Sequence, residues 1–124
     1  MIQMGTKLKV SDNSGAKIVE CLKIVGKKSN GVGSIGDIIV VSVKHLIFKQ
    51  KSKIEKGGVY KALITETKKG VKRKDGSLIR FSDNYAVLLT AQGNLTGSRV
   101  IGRATYELRK RNQAKVLSLA AGVF

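Results

Sequence analysis

Short segments of alternating or β-branched residues, separated by tight turns, constrain the fold of this chain most. In the first segment Thr6, Leu8 and Val10 alternate with lysines, which is the period of a half-buried strand. Four further segments are of this kind and span 17–25, 37–45, 59–67 and 85–90. Glycine and Asx residues lie between them, as in the predicted turn of residues 12–15. The pattern predicts about five main strands.

About five short strands separated by turns favour a mainly β fold built as a small closed barrel. Closure removes the open sheet edges that would otherwise invite aggregation. Ile39, Val41 and Val43 share one face of the third segment and are candidates for its interior. Asp75-Gly76 is a strong hairpin signal between Val71 and Phe81.

The pattern changes after residue 102. Glu107 and Arg111 are four residues apart and can pair on one face of a helix, and the apolar run 116–123 is consistent with a short helix. No linker or internal repeat interrupts the chain. We therefore expect one domain over 1–124, with a five-stranded barrel over 1–102 and a C-terminal helical part over 103–124.

The charge points to a polyanionic partner. The 124 residues include 24 basic and 8 acidic ones, a net charge of +16, which is far more than solubility requires. Nucleic acid is the commonest partner of such a domain. No apolar run approaches the roughly 18 residues of a membrane span, and no basic amphipathic helix dominates, so membrane binding is disfavoured. Lys7 and Lys9 interrupt the start, so no secretory signal is expected.

The type of basic residue indicates how the nucleic acid is bound. Lysine outnumbers arginine 18 to 6, and lysine contacts phosphate as a point charge but reads base edges poorly. This composition favours recognition of folded RNA by shape and phosphate. The alternative is a free-standing nucleic-acid-binding barrel that acts on single strands. It would need Tyr60, Phe81 and Tyr85 as stacking platforms.

Several other motifs are better explained by structure than by chemistry. Residues 31–36 satisfy G-x-G-x-x-G, but strand sequence follows them where a dinucleotide site needs a helix. Cys21 and His45 are the only residues of their types, too few for zinc, and each lies in a predicted strand. A Cys-His catalytic pair would need a pocket around them. We expect no enzymatic activity, no metal and no cofactor.

The most basic stretch is 68–74, which holds five basic residues in seven positions beside the predicted hairpin turn. A solvated face would normally mix charges of both signs. We therefore interpret this hairpin as a phosphate-binding projection. Those five basic residues are Lys68, Lys69, Lys72, Arg73 and Lys74.

A series of ordered motifs runs through nearly the whole chain. They are Met1-Ile2-Gln3, Asp12-Asn13-Ser14-Gly15-Ala16, Gly36-Asp37-Ile38-Ile39, Thr67-Lys68-Lys69-Gly70-Val71, Asp75-Gly76-Ser77, Ile79-Arg80-Phe81, Glu107-Leu108-Arg109 and Ser118-Leu119-Ala120. In these motifs the chain resembles the ribosomal protein fourteen family of the large ribosomal subunit. The resemblance implies a five-stranded β-barrel with a projecting β-ribbon and a C-terminal helical part, and a structural function without enzymatic activity.

The resemblance also implies partners. They are large-subunit ribosomal RNA, small-subunit ribosomal RNA at intersubunit bridges, the neighbouring ribosomal proteins three and nineteen, and a ribosome-silencing factor. The factor's surface would map to Ser98, Arg99 and Lys115. The residues expected to bind ribosomal RNA are Lys9, Asn13, Lys17, Lys27, Lys28, Lys44, Lys49, Lys51, Lys53, Lys68, Lys69, Lys72, Arg73, Lys74, Arg80, Arg109, Lys110 and Arg111.

Some positions depart from the family pattern. Arg103 stands where family members usually carry proline, the usual proline near 120–122 is absent, and the loop 27–33 lacks the usual Arg-Arg-Tyr run. The absence of proline and the lysine bias suggest an AT-rich genome, such as that of an organelle. With no presequence recognised, we expect a large-subunit protein encoded in the mitochondrion, with the bacterial cytoplasm as the alternative.

Overall fold

Nine strands form the regular structure of the described chain. The computed structural model describes residues 2–12, 15–26, 31–46, 54, 56–90, 92–95, 103–104 and 122–123. The strands are β1 (Lys7–Val10), β2 (Ala16–Ile24), β3 (Ile38–Leu46), β4 (Val59–Glu66), β5 (Val71–Lys72), β6 (Leu78–Ile79), β7 (Tyr85–Leu89), β8 (Arg103–Ala104) and β9 (Gly122–Val123). No helix occurs within these described ranges.

Five of the strands close into a barrel in the order β1-β2-β3-β4-β7. Every pair around the barrel is antiparallel except β1 with β7, which is parallel and closes the cylinder. That closing pair is short, with Lys9 opposite Tyr85 and Val10 opposite Ala86. The mainly β fold and the closed five-stranded barrel predicted from the sequence are confirmed.

The barrel interior is filled by apolar side chains from the inward face of each strand. Ile39, Val41 and Val43 are fully buried on β3, and Ala62 and Ile64 face them from β4. Side chains at every second position of a strand point to the same face, so one face of each strand supplies the core. The aliphatic interior is dense and keeps the barrel stiff.

A second apolar cluster lies on the outer face of the barrel. Leu63 of β4 pairs with Val87 of β7, and both are fully buried although they point away from the interior. Ile35 and Leu89 complete this cluster, and Phe81 packs partly against it. The strands β4 and β7 are therefore apolar on both faces, so their alternation is weaker than that of β1.

An irregularity in β2 changes which residues face outward. Its register against β3 shifts between Cys21 and Lys23, so Leu22 is the extra residue of a bulge. Bulges bend a strand and increase its twist, which a barrel of only five strands requires. As a result Leu22 and Lys23 are both exposed, while Cys21 and Ile24 point into the core.

A two-stranded ribbon, β5 with β6, projects between β4 and β7, as the Asp75-Gly76 signal predicted. The helical part expected over 103–124 falls largely outside the described residues. Within it the structure describes only β8 and β9, which pair in parallel, with Arg103 opposite Gly122. The two ends of that segment are thus strands, brought side by side.

Candidate nucleic-acid interface

The cations of the described chain lie on the outside. Every lysine whose side chain the structure describes is exposed, on strands and in loops alike. Lys17 on β2 and Lys44 on β3 are examples from the predicted set of RNA-binding residues. Alternation explains part of the pattern. Lys9, for example, occupies an outward position between Leu8 and Val10, which pack in or against the interior cluster.

Half of the described acidic side chains are buried, where they stabilise the fold. Asp12 is buried, and its Oδ2 accepts the backbone N–H of Leu88 at 2.9 Å. Asp37 is also buried, and its Oδ2 accepts the backbone N–H of Ser34 at 2.8 Å and the Ser34 hydroxyl at 3.3 Å. Glu66 is buried at the end of β4. These carboxylates hold loops and strands in place and contribute little negative charge to the surface.

Two of the remaining acids form ion pairs with lysines. Asp83 Oδ2 lies 3.0 Å from Lys9 Nζ, and Glu20 Oε2 lies 3.6 Å from Lys44 Nζ. The hydrogen bond and the charge of Asp83 raise the pKa of Lys9 above its usual value. Lys9 and Lys44, both predicted to bind RNA, are therefore engaged within the protein itself. Such exposed pairs are weak and can exchange for a phosphate.

The ribbon is the most cationic element that the structure describes. Lys68, Lys69, Lys72, Lys74 and Arg80 are exposed along it, and Arg73 is half-buried. Within the ribbon, Lys72 lies opposite Leu78. The structure thus brings the basic residues of 68–80 together on one projection, as the sequence predicted.

The base of the ribbon is fixed to the barrel by backbone hydrogen bonds. The Lys68 N–H donates to Asn84 Oδ1 at 2.9 Å, and the Asn84 carbonyl accepts the Lys9 N–H at 3.0 Å. The Gly70 N–H donates to the carbonyl and the hydroxyl oxygen of Thr67, at 3.1 and 3.0 Å. The ribbon therefore leaves the barrel in a defined direction.

The tip of the ribbon is a tight turn that uses the only acid of the stretch. Asp75 Oδ1 accepts the N–H of Ser77 at 3.0 Å and its hydroxyl at 2.7 Å. These hydrogen bonds lower the pKa of Asp75. The Gly76 N–H donates to the Arg73 carbonyl at 3.1 Å and the Arg73 N–H to the Ser77 carbonyl at 2.9 Å. The carboxylate thus stabilises the turn.

The remaining predicted residues divide into two groups. Outside the described residues lie Asn13, Lys27, Lys28, Lys49, Lys51, Lys53, Ser98, Arg99, Arg109, Lys110, Arg111 and Lys115. Four further lysines are exposed but were not among the residues predicted to bind RNA: Lys7, Lys23, Lys56 and Lys61. Strand alternation signals the outward position of Lys61, which precedes buried Ala62, but not that of Lys23, which lies at the bulge beside exposed Leu22.

The alternative functions find little support in the described structure. Tyr60 packs on the interior cluster and Phe81 on the outer one, so the three aromatics do not share one exposed stacking face. Cys21 is buried opposite Val41, whereas His45 is exposed four residues further along β3, about 13 Å away along the strand. Burial raises the pKa of the Cys21 thiol, which opposes nucleophilic reactivity.

The G-x-G-x-x-G stretch is a loop between strands, as expected. Gly33 exchanges two backbone hydrogen bonds with Ile2, and β3 follows at Ile38. Among the residues described, no three His, Cys, Asp or Glu side chains cluster as metal ligands would. The described part of the chain also includes no helix long and apolar enough to cross a bilayer.

A closed five-stranded barrel, with buried acids and exposed lysines around a cationic ribbon, defines a small basic β-barrel protein. The sequence model of the family described as Ribosomal protein L14p/L23e matches residues 1–124. The chain belongs to this family, which confirms the resemblance seen in its motifs. Members of the family are structural constituents of the large ribosomal subunit, not enzymes.

Proposed function

We propose that the chain binds large-subunit ribosomal RNA through phosphate contacts made by its exposed cations, above all those of the β5–β6 ribbon. One observation carries this proposal: the described lysines point outward while Asp12, Asp37 and Glu66 are buried in the fold. The outer surface is therefore more positive than the ratio of basic to acidic residues suggests. Such a surface is matched by a dense array of phosphates.

The mechanism is charge neutralisation on a stiff support. Each lysine that contacts a phosphate releases condensed counterions, and the gain in their entropy drives binding. The barrel core keeps the strand lysines at fixed separations, so the contacts define orientation as well as affinity. The ribbon extends this pattern away from the barrel, held by the Lys68–Asn84 hydrogen bond.

The test removes two ribbon charges without disturbing the fold. Lys72 and Lys74 are both exposed, so we expect Lys72→Ala with Lys74→Ala to fold normally. Binding to large-subunit ribosomal RNA is measured over a range of salt concentrations. If both contacts are lost, the slope of log K against log salt becomes shallower by about 1.4 to 1.8.

The matched control is Lys23→Ala with Lys61→Ala, which removes the same charge from exposed positions on β2 and β4. We expect the control to leave the slope closer to that of the unmodified protein. Equal slopes for the ribbon variant and the unmodified protein would refute the role of the ribbon. Equal losses for both variants would show that the charge acts without regard to position.

Membership of the family supports the remaining partners. We propose that the chain contributes to the intersubunit face, where it contacts small-subunit ribosomal RNA, and that it neighbours ribosomal proteins three and nineteen. Ser98, Arg99 and Lys115 are proposed to receive a silencing factor. Arg99→Glu with Lys115→Glu should then abolish co-sedimentation of the purified factor with large subunits, and retained co-sedimentation would exclude this surface.

The proposed location is the large subunit of a mitochondrial ribosome, with a bacterial ribosome as the alternative. The composition supports this choice, because the chain has no proline and three lysines for each arginine, as expected from an AT-rich genome. Mass spectrometry of large subunits from purified mitochondria tests it. Detection of the chain only in ribosomes from outside the organelle would refute it.

A further inference from the structure

Three exposed apolar residues belong to adjoining segments at one end of the barrel. Met4 is 65% exposed, Leu22 39% and Val25 45%. Isolated exposed apolar residues are ordinary, but a contiguous group on a protein this basic needs another explanation. We refer to Met4, Leu22 and Val25 as the apolar end patch.

Backbone pairing places these residues side by side. The Gly5 N–H donates to the Cys21 carbonyl at 2.8 Å, and the Cys21 N–H donates to the Thr6 carbonyl at 2.8 Å. Met4 therefore lies next to the point where β2 reaches Leu22. Both residues are exposed, and they lie on backbone segments that neighbour each other at this end of the barrel.

The bulge in β2 brings Leu22 onto the same face as Lys23 and Val25. Lys23 and Val25 are two positions apart and face the same way, with Ile24 buried between them. Leu22, the extra residue of the bulge, is exposed beside them. Without the bulge, strict alternation would turn Leu22 away from the side of Lys23.

Neither the core nor the turns require these apolar side chains. Each of Met4 and Val25 precedes a glycine of positive φ in a turn, Gly5 at 90° and Gly26 at 81°. Such turns are usually built from polar residues, which water solvates at no cost. The exposed apolar area is therefore unfavourable until something covers it.

The surroundings indicate what kind of molecule fits. Lys23 lies between Leu22 and Val25, and Lys61 is aligned with it across Val40. Of the described acids on this part of the barrel, Glu20 is paired with Lys44 and Asp37 is buried. The patch is thus apolar with a cationic rim.

RNA is a poor match for this surface. Aliphatic side chains gain nothing from phosphates, whose desolvation would be costly, and the patch has no aromatic ring on which a base could stack. A protein segment with apolar side chains would fill the patch, and its carboxylates would meet Lys23 and Lys61.

We propose that the apolar end patch docks a segment of a neighbouring large-subunit protein that carries both apolar and acidic side chains. This inference rests on the proposed function, because it places the chain inside the large subunit. It assigns to protein contact a surface distinct from the ribbon.

Photo-crosslinking in assembled subunits tests the contact directly. Leu22 is replaced by p-benzoyl-phenylalanine, tagged chains are incorporated into large subunits, and the irradiated subunits are analysed by mass spectrometry. We expect a crosslink to one large-subunit protein, in a segment containing apolar residues and Asp or Glu. The same probe at Val59, which is 60% exposed on β4, is the control and should not reach that segment.

Each other result decides between the two proposals. A crosslink from position 22 to ribosomal RNA, to a second copy of this chain or to nothing would overturn the docking proposal while leaving the chain in the subunit. Absence of the tagged unmodified chain from large subunits would overturn the proposed function itself, and the docking proposal with it.

Two lysine substitutions distinguish a protein partner from an RNA partner, because they should lower occupancy in the large subunit if the partner is protein and raise it if the partner is RNA. Leu22→Lys with Val25→Lys adds charge where the side chains are already exposed, so folding should persist. Against an apolar protein segment, we expect occupancy in salt-washed large subunits to fall several-fold in competition with the unmodified chain. Val59→Lys is the control and should compete equally. Higher occupancy of the double variant would indicate RNA at this surface, equal occupancy would indicate that nothing contacts it, and either result would overturn the proposal.

Discussion

Gly70 lies where the ribbon leaves the barrel, and it tests whether the ribbon must be held rigid to bind RNA. Its φ is +69°, in the left-handed region, and a Cβ built there would lie 1.6 Å from the carbonyl oxygen of Ile79. The Ile79 carbonyl carbon and the Arg80 Cα would be 2.6 and 2.9 Å away. All three are backbone atoms, which cannot turn aside as a side chain could.

The size of the overlap decides how Gly70→Ala is accommodated. The oxygen is roughly 2 Å closer than an ordinary contact. A 15° distortion of a backbone angle costs about 4 kcal/mol and moves the Cβ by only about 0.4 Å. The cheaper response is for β5 and β6 to separate, because a two-stranded ribbon is only marginally stable by itself. The barrel, a separate sheet, should remain closed.

Gly76→Ala is the matched control. Gly76 also has positive φ, +90°, but no atom lies within 4 Å of its added Cβ. Both variants share the conformational cost of about 1–2 kcal/mol for a left-handed alanine, so the difference between them isolates the overlap. We expect Gly70→Ala to lose amide exchange protection in Val71, Arg73 and Ile79.

RNA affinity should follow the ribbon. A ribbon that must be ordered on binding pays backbone entropy of about 1–2 kcal/mol per residue, so Gly70→Ala should bind at least about tenfold more weakly than Gly76→Ala. Amide exchange of the β3 core residues is the check that the barrel is intact. Native ribbon protection in Gly70→Ala, or equal RNA affinity of the two variants, would show that this reasoning is wrong.

Three further predictions concern the barrel. Asp83→Asn should return the pKa of Lys9 toward 10.5, as measured by NMR titration, and an unchanged Lys9 titration would refute the pairing. Because the pKa of Lys9 is raised in the folded protein, the ion pair stabilises the fold fully below pH 10.5, and this stabilisation is lost as the pH rises through the pKa of the folded state. Ser11→Ala should raise the free energy of unfolding by about 1 kcal/mol in urea titrations, since the buried Ser11 hydroxyl has no partner among the described residues. The control is Thr65→Val, which removes a hydroxyl that donates to the Tyr85 carbonyl and should therefore not stabilise the protein. Cys21 should react with a thiol reagent only as fast as the barrel opens, because it is buried and its pKa is raised; rapid modification of the native protein would contradict its place in the core.

Local patterns made much of this fold predictable. The alternation around Leu8 and along Ile39 to Val43 marked the barrel interior, and Asp75-Gly76 marked the ribbon, because each signal depends only on neighbours in the sequence. The burial of Leu63 and Val87 on the outer face was harder to foresee. Their cover comes from Ile35 and other residues distant in the sequence, and no local period encodes it.

The candidate site shows the same limit. The outward positions of lysines in regular strand, such as Lys9, could be predicted, because they follow from alternation. Their partners could not be predicted, since Lys9 meets Asp83 across 74 positions of the chain. The bulge at Leu22 was also missed, although it is what exposes the end patch, because a bulge shows itself only in the register of two strands.

The two proposed surfaces follow from how the chain distributes its charge. A net charge of +16 opposes compactness, and burying Asp12, Asp37 and Glu66 leaves the outer lysines with still less compensation. The repulsion can be borne because the aliphatic interior does not depend on the surface charges. The same unrelieved charge strengthens attraction to phosphates, so stability given up by the free protein is recovered on assembly. An aliphatic patch gains nothing from that attraction, which is why Met4, Leu22 and Val25 point to protein and the ribbon points to RNA.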